Sequence, residues 1–90
     1  MNRLPKKGRF VKKPIPVYAE QWYPGDENDD VVEIRHSTLG LIGQIKTMEG
    51  DGYVKPGAYV MTGVKGEKYP CDEEVFNETY EVYDPEKHKE

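Results

Sequence analysis

The chain has 90 residues, 33% of them charged and 36% hydrophobic, with a formal net charge of −4. That is enough sequence for one small core and no more. Its single cysteine excludes an internal disulfide. No apolar run approaches the roughly 20 residues that a membrane-spanning helix needs, and no apolar stretch follows the basic start as it would in a secretory leader. A reducing cytoplasm is the expected compartment.

The charge is unevenly placed. Residues 1–13 carry Arg3, Lys6, Lys7, Arg9, Lys12 and Lys13 and no acid, whereas residues 71–90 carry eight acids against Lys87 and Lys89. We read residues 1–11 as a flexible basic arm, 12–84 as a single globular domain and 85–90 as a flexible tail. A basic arm can track a phosphate backbone. Here the body is acidic and only Phe10 interleaves the basic residues. A solvated end is therefore the first reading, and weak nucleic-acid binding through residues 1–13 stands third among the functional hypotheses.

In chain order, Pro14 and Pro16 force an extended entry. Val17–Tyr23 alternates as a strand with two mixed faces. Residues 24–30 form a turn rich in breakers and acids. Val31–His36 fits a strand through its β-branched residues, or one or two turns of helix with Asp30 as N-cap. Leu41–Met48 reads as a strand, Glu49–Gly52 as a hairpin turn, and Tyr53–Lys55 as the return. After Pro56-Gly57, Ala58–Val64 is the strongest strand. Lys65-Gly66 turns it back into Glu67–Cys71. Asp72 can cap a helix over about 73–80, with Glu73 and Glu74 favouring its positive end and Phe76/Tyr80 one turn apart. Glu81–Tyr83 reads as a closing edge strand.

The expected fold class is α+β, mainly β: a small curved antiparallel sheet or partly open barrel with one short helix. Trp22, Ile45, Val60, Val64, Phe76 and Tyr80 are the expected core.

No residue set composes an active site. Cys71 precedes a helix, the right polarity for a thiolate. However, Asp72, Glu73 and Glu74 oppose its ionisation, and His36 and His88 lie on other segments. One cysteine and two distant histidines make no zinc spacing. Residues 26–30 lack the glycine and terminal glutamate of a calcium loop. Gly63–Glu67 is not a phosphate loop, since no helix follows it. Trp22 is read first as core, and second as the floor of a shallow site beside Gln21. No cofactor is expected.

One resemblance is specific. Pro56-Gly57, Tyr59-Val60, Thr62-Gly63-Val64-Lys65-Gly66-Glu67, Tyr69-Pro70-Cys71, Phe76 and Thr79-Tyr80-Glu81 follow the pattern PGDYI(I/V)TGVKGE-YPC…IFE-x-TYE. Lys12-Lys13-Pro14 and then Val17-Tyr18-Ala19-Glu20-Gln21-Trp22 stand where the group reads KKPV-x-x-EA-x-QW, with Ala19, Gln21 and Trp22 matching. The chain thus resembles a group of small proteins encoded by tailed bacteriophages and prophages, over about two thirds of its length. Ala58 departs from the pattern, which carries an acid there.

The resemblance implies a protein working in the cytoplasm of an infected bacterium, with no membrane role. The first functional expectation is a non-enzymatic binder of a host or phage protein, monomeric or homodimeric, of the kind that counters host defence. The alternative is a binder of a small nucleotide-like anion. The expected contact residues are Gln21, Trp22, Thr62, Lys65, Glu67, Lys68 and Tyr69, on one face shared by the Gln21-Trp22 strand end and the 62–69 hairpin.

Overall fold

The computed structural model describes residues 6–10 and 15–87. The expectations placed on residues 1–5, 11–14 and 88–90, which include most of the basic arm and His88, lie outside the described residues.

Among the described residues, six strands and one helix follow in order: β1 (Tyr18–Gln21), β2 (Val32–His36), β3 (Gly40–Thr47), β4 (Gly50–Val54), β5 (Tyr59–Thr62), β6 (Lys68–Cys71) and α1 (Glu73–Thr79). The mainly β architecture with one short helix is the one expected. The strands divide into two three-stranded antiparallel sheets, ordered β2-β3-β4 and β1-β5-β6, and neither closes into a barrel. Val32–His36 is a strand, not a helix.

Two local expectations are corrected. The hairpin turn falls earlier than Glu49–Gly52: Thr47 pairs with Gly50, leaving Met48-Glu49 at the tip. The Thr47 hydroxyl accepts the Glu49 amide at 3.2 Å and donates to the Gly50 carbonyl at 2.6 Å. Gly50 supplies the positive φ, +119°, that such a loop requires. The second correction is Glu81–Tyr83, which forms no strand.

Residues paired across antiparallel strands share a face. In the β1-β5-β6 sheet this puts Glu20, Val60 and Pro70 on one side, and Tyr59, Met61, Tyr69 and Cys71 on the other. The first side meets the other sheet. Val60 joins Trp22, Ile45, Val54 and Ala58 in the core, with Val31 packed against it. The second side carries α1: the Phe76 ring stacks on Tyr59 at 3.7 Å between centroids, and Tyr80 stacks on Phe76 at 5.1 Å.

Trp22, Ile45 and Val60 are therefore core, as expected. Phe76 and Tyr80 are half-buried. Val64 is not core: it is 71% exposed, because β5 ends at Thr62 and Val64 falls in the turn beyond it. Close packing of the two sheets depends on Gly43. A Cβ there would lie 2.5 Å from Val31 Cγ1 and 3.4 Å from two atoms of the Trp22 ring. Trp22 and Val31 thus rest on bare backbone.

Candidate functional site

The residues expected to form one contact face are divided by the strand register. Gln21 pairs with Tyr59 at the start of β5, and Tyr18 pairs with Thr62 at its end. At about 3.4 Å per residue, the two ends of β5 are about 10 Å apart, and the 63–67 turn extends farther still. The Gln21-Trp22 end and the hairpin tip therefore stand at opposite ends of β5.

At the Gln21 end, Gln21 and Trp22 are engaged in holding the fold. Trp22 is 2% exposed. Its amide donates to Ala58 O at 2.9 Å, and its carbonyl accepts from Gly57 N at 2.8 Å. The Gln21 side-chain amide donates to Gly57 O and to Glu73 Oε2, both at 2.9 Å. One side chain thus ties β1 to the Pro56-Gly57 turn and to the first turn of α1. Ala58, the departure from the phage pattern, lies in the apolar core. An acid in this packing would have to be desolvated at a cost of about 1–3 kcal/mol or more.

Beside it, Glu20, Gln21, Trp22, Asp26, Glu27 and Asn28 line a shallow depression of about 240 Å³. Two of its carboxylates are engaged locally: Glu20 accepts from the Asn28 amide, and Asp26 from Tyr23 N at 2.9 Å. No group of three or more metal-ligating side chains converges among the described residues.

At the other end, the hairpin is built by Thr62, Gly63, Gly66, Glu67 and Lys68. Gly63 N donates to Glu67 O at 2.8 Å, Gly66 N donates to Gly63 O at 3.0 Å, and Gly66 takes a φ of +81°. The Glu67 side chain curls back so that Oε1 accepts the Lys65 amide at 2.9 Å. Its carboxylate occupies the space a Cβ of residue 63 would need, 2.3 Å from that position. Gly63 and Glu67 are thus a matched pair. Lys68 donates to Thr62 Oγ1 at 2.7 Å and pairs with Asp30 at 3.3 Å. It fastens the hairpin base to the 24–30 turn rather than standing free at the tip. Tyr69 lies on the opposite face of β6, on the α1 side. Burial, then the neighbouring Tyr80 hydroxyl with which it hydrogen-bonds, raises its pKa.

Two tip residues remain that this architecture does not use. Val64 and Lys65 are both exposed, and no side-chain partner holds either among the described residues. The backbone beneath them is fixed by Glu67. Sequence reasoning missed Val64 because a β-branched residue after a strong strand reads as more strand. The signal against that reading was its place between Gly63 and Gly66.

Cys71 does not have the surroundings of an activated thiol. Burial, and then Asp72, push its pKa up, and Sγ lies 3.7 Å from the Asp72 carbonyl oxygen. His36 Nδ1 accepts the Thr38 and Leu39 amides, each at 3.1 Å, and its ring meets Tyr53 edge-on. It works in the β2–β3 turn, on the other sheet. Among the described residues no helix is long and apolar enough to cross a membrane. Comparison with protein-family models, with curated proteins and with solved structures finds no match.

Proposed function

We propose that this chain is a non-enzymatic binding module, encoded by a phage or prophage, that engages a host protein in the infected bacterial cytoplasm through the tip of the β5–β6 hairpin. The observation that carries the reading is the Val64-Lys65 tip. It is an exposed apolar side chain and an exposed cation on a turn whose shape is fixed by the Glu67 carboxylate and by backbone bonds between Gly63, Gly66 and Glu67. Such a tip suits a partner surface with a shallow apolar pocket beside an acidic group. Rigid scaffolds place binding residues in this way, because a preformed loop loses little entropy on association. The phage context comes from the resemblance alone. Gln21, Trp22, Thr62, Glu67, Lys68 and Tyr69 support the scaffold, and Lys65 with Val64 makes the contact.

The test is affinity capture from lysate of infected bacteria, comparing the natural chain with a Val64→Asp, Lys65→Glu chain by quantitative mass spectrometry. Loss of about tenfold or more of a captured protein is expected, as for hot-spot residues, with an unchanged melting temperature. Equal capture by both chains would refute the tip as the contact. Loss on reversing the charge of Glu74 and Glu78 instead would move the contact to the acidic face of α1.

A further inference from the structure

Two three-stranded sheets present four edges: β1 and β6 of one, β2 and β4 of the other. An open edge is a template for another strand unless proline, an unmatched charge such as lysine, a very short strand or a covering segment blunts it; glycine weakens the strand itself. β6 carries Pro70 and Lys68. β4 begins Gly50-Asp51-Gly52, and Pro70 of β6 lies against Gly52. β1 has four residues, and self-pairing would set Ala19 against Glu20 with no charge match.

β2 differs. It reads Val32-Glu33-Ile34-Arg35-His36, with no proline, glycine or lysine. Its inner edge bonds β3, and no strand among the described residues pairs with its outer edge. Antiparallel pairing of this edge with a second copy, about a two-fold axis at Ile34, sets Glu33 opposite the partner's Arg35 and Arg35 opposite the partner's Glu33. Both ion pairs form in either hydrogen-bonding phase, because paired residues always share a face. Glu33 and Arg35 are exposed. Glu33 is held at the edge by accepting Gly25 N at 3.2 Å, with carboxylate capacity to spare. The centre sets Ile34 against itself. Val32, 64% exposed, meets the partner's His36.

We infer that β2 is a self-complementary edge through which two copies of this chain join their β2-β3-β4 sheets into one six-stranded sheet. The contact is isologous. It is small, so the dimer is weak and concentration-dependent. The inference does not rest on the hairpin-tip reading.

Sedimentation equilibrium tests it, with circular dichroism confirming that each variant folds. The natural chain should dimerise within the range up to about 1 mM. Glu33→Lys and Arg35→Glu each turn both attractive pairs repulsive and should weaken the dimer about tenfold or more. Mixing those two variants restores opposite charges across the axis and should recover association between them. The double variant Glu33→Arg, Arg35→Glu should dimerise like the natural chain. A natural chain that stays monomeric to about 1 mM overturns the inference, as does a dimer unaffected by the single reversals, or one that the double reversal fails to restore.

Discussion

Gly43→Ala probes the packing of the two sheets more directly than any large-to-small change. The added methyl would sit 2.5 Å from Val31 Cγ1. Carbon atoms prefer about 3.5–4.0 Å, so the overlap is about 1 Å. Val31 is β-branched and cannot move that methyl without leaving its rotamer. Trp22, at 3.4 Å, is buried and cannot retreat. Overpacking of this kind costs about 1–3 kcal/mol. Removing a strand glycine returns about 0.5–1 kcal/mol. The expected net loss is about 1–2 kcal/mol, or several degrees in a domain of this size. Val31→Ala alone should cost about 1 kcal/mol, since Val31 is only partly buried. It also removes the clashing atom, so the double variant should be about 1 kcal/mol or more better than the sum of the singles. Urea unfolding followed by Trp22 fluorescence measures all four chains. Additivity within about 0.5 kcal/mol would refute the packing described here, as would a neutral Gly43→Ala.

Phe76→Ala should cost about 2 kcal/mol, below the 3–5 typical of a fully buried ring, and a loss under about 0.5 kcal/mol in thermal unfolding would show that α1 does not dock. Lys68→Ala should cost about 1 kcal/mol through its bond to Thr62 and its pair with Asp30, whereas Lys65→Ala should stay within about 0.5 kcal/mol; equal effects would contradict the hairpin geometry. Gly63→Ala should displace the Glu67 carboxylate and speed hydrogen exchange at the Lys65 amide, and an unchanged exchange rate would refute the pairing of those two residues. Tyr69 and Cys71 both have pKa values raised above their ordinary 10.0 and 9.0. The folded chain therefore keeps protons that the unfolded chain has released, so stability is full below about pH 9 and falls as pH rises through the native values. Tyr69→Phe should flatten that alkaline decline in urea midpoints measured from pH 7.5 to 10.5, and an unchanged slope would remove Tyr69 from the account.

Much of the element list was legible because local chemistry decides it. Tyr59–Thr62 is aromatic and β-branched, glycines punctuate the hairpins, and Glu73 and Glu74 sit in the first turn of a helix whose Phe76 and Tyr80 meet one turn apart; Asp72 holds the N-cap position, but its side chain makes no capping bond. The division into two sheets was not legible. β1 has mixed faces, Tyr18 and Glu20 on one and Ala19 and Gln21 on the other, so alternation does not say which sheet it joins. The contact residues fared unevenly for a related reason. Gln21-Trp22 and the 62–69 hairpin stand out equally as motifs, but whether they meet depends on register. The pairing of Gln21 with Tyr59 sends them to opposite ends of β5. The roles of Gly63 and Glu67 depend on a carboxylate folding over backbone four residues away, a contact no periodicity encodes.

The strand order also sets a timetable for the chain as it is made. The β2-β3-β4 sheet is a meander that can close as soon as Val54 is available. β1 must wait for β5: Tyr18 meets Thr62, which is 62 − 18 = 44 residues later. At synthesis rates of about 5–20 residues per second, that wait is about 2–9 s. Until residue 60 is made, the sole tryptophan has neither Ala58 nor Val60 to complete its cover, and only Val31, Ile45 and Val54 are there to meet it. The nascent protein thus carries a half-covered aromatic anchor for most of that wait, and that interval is when a chaperone, or a second nascent copy, has the readiest access to its core.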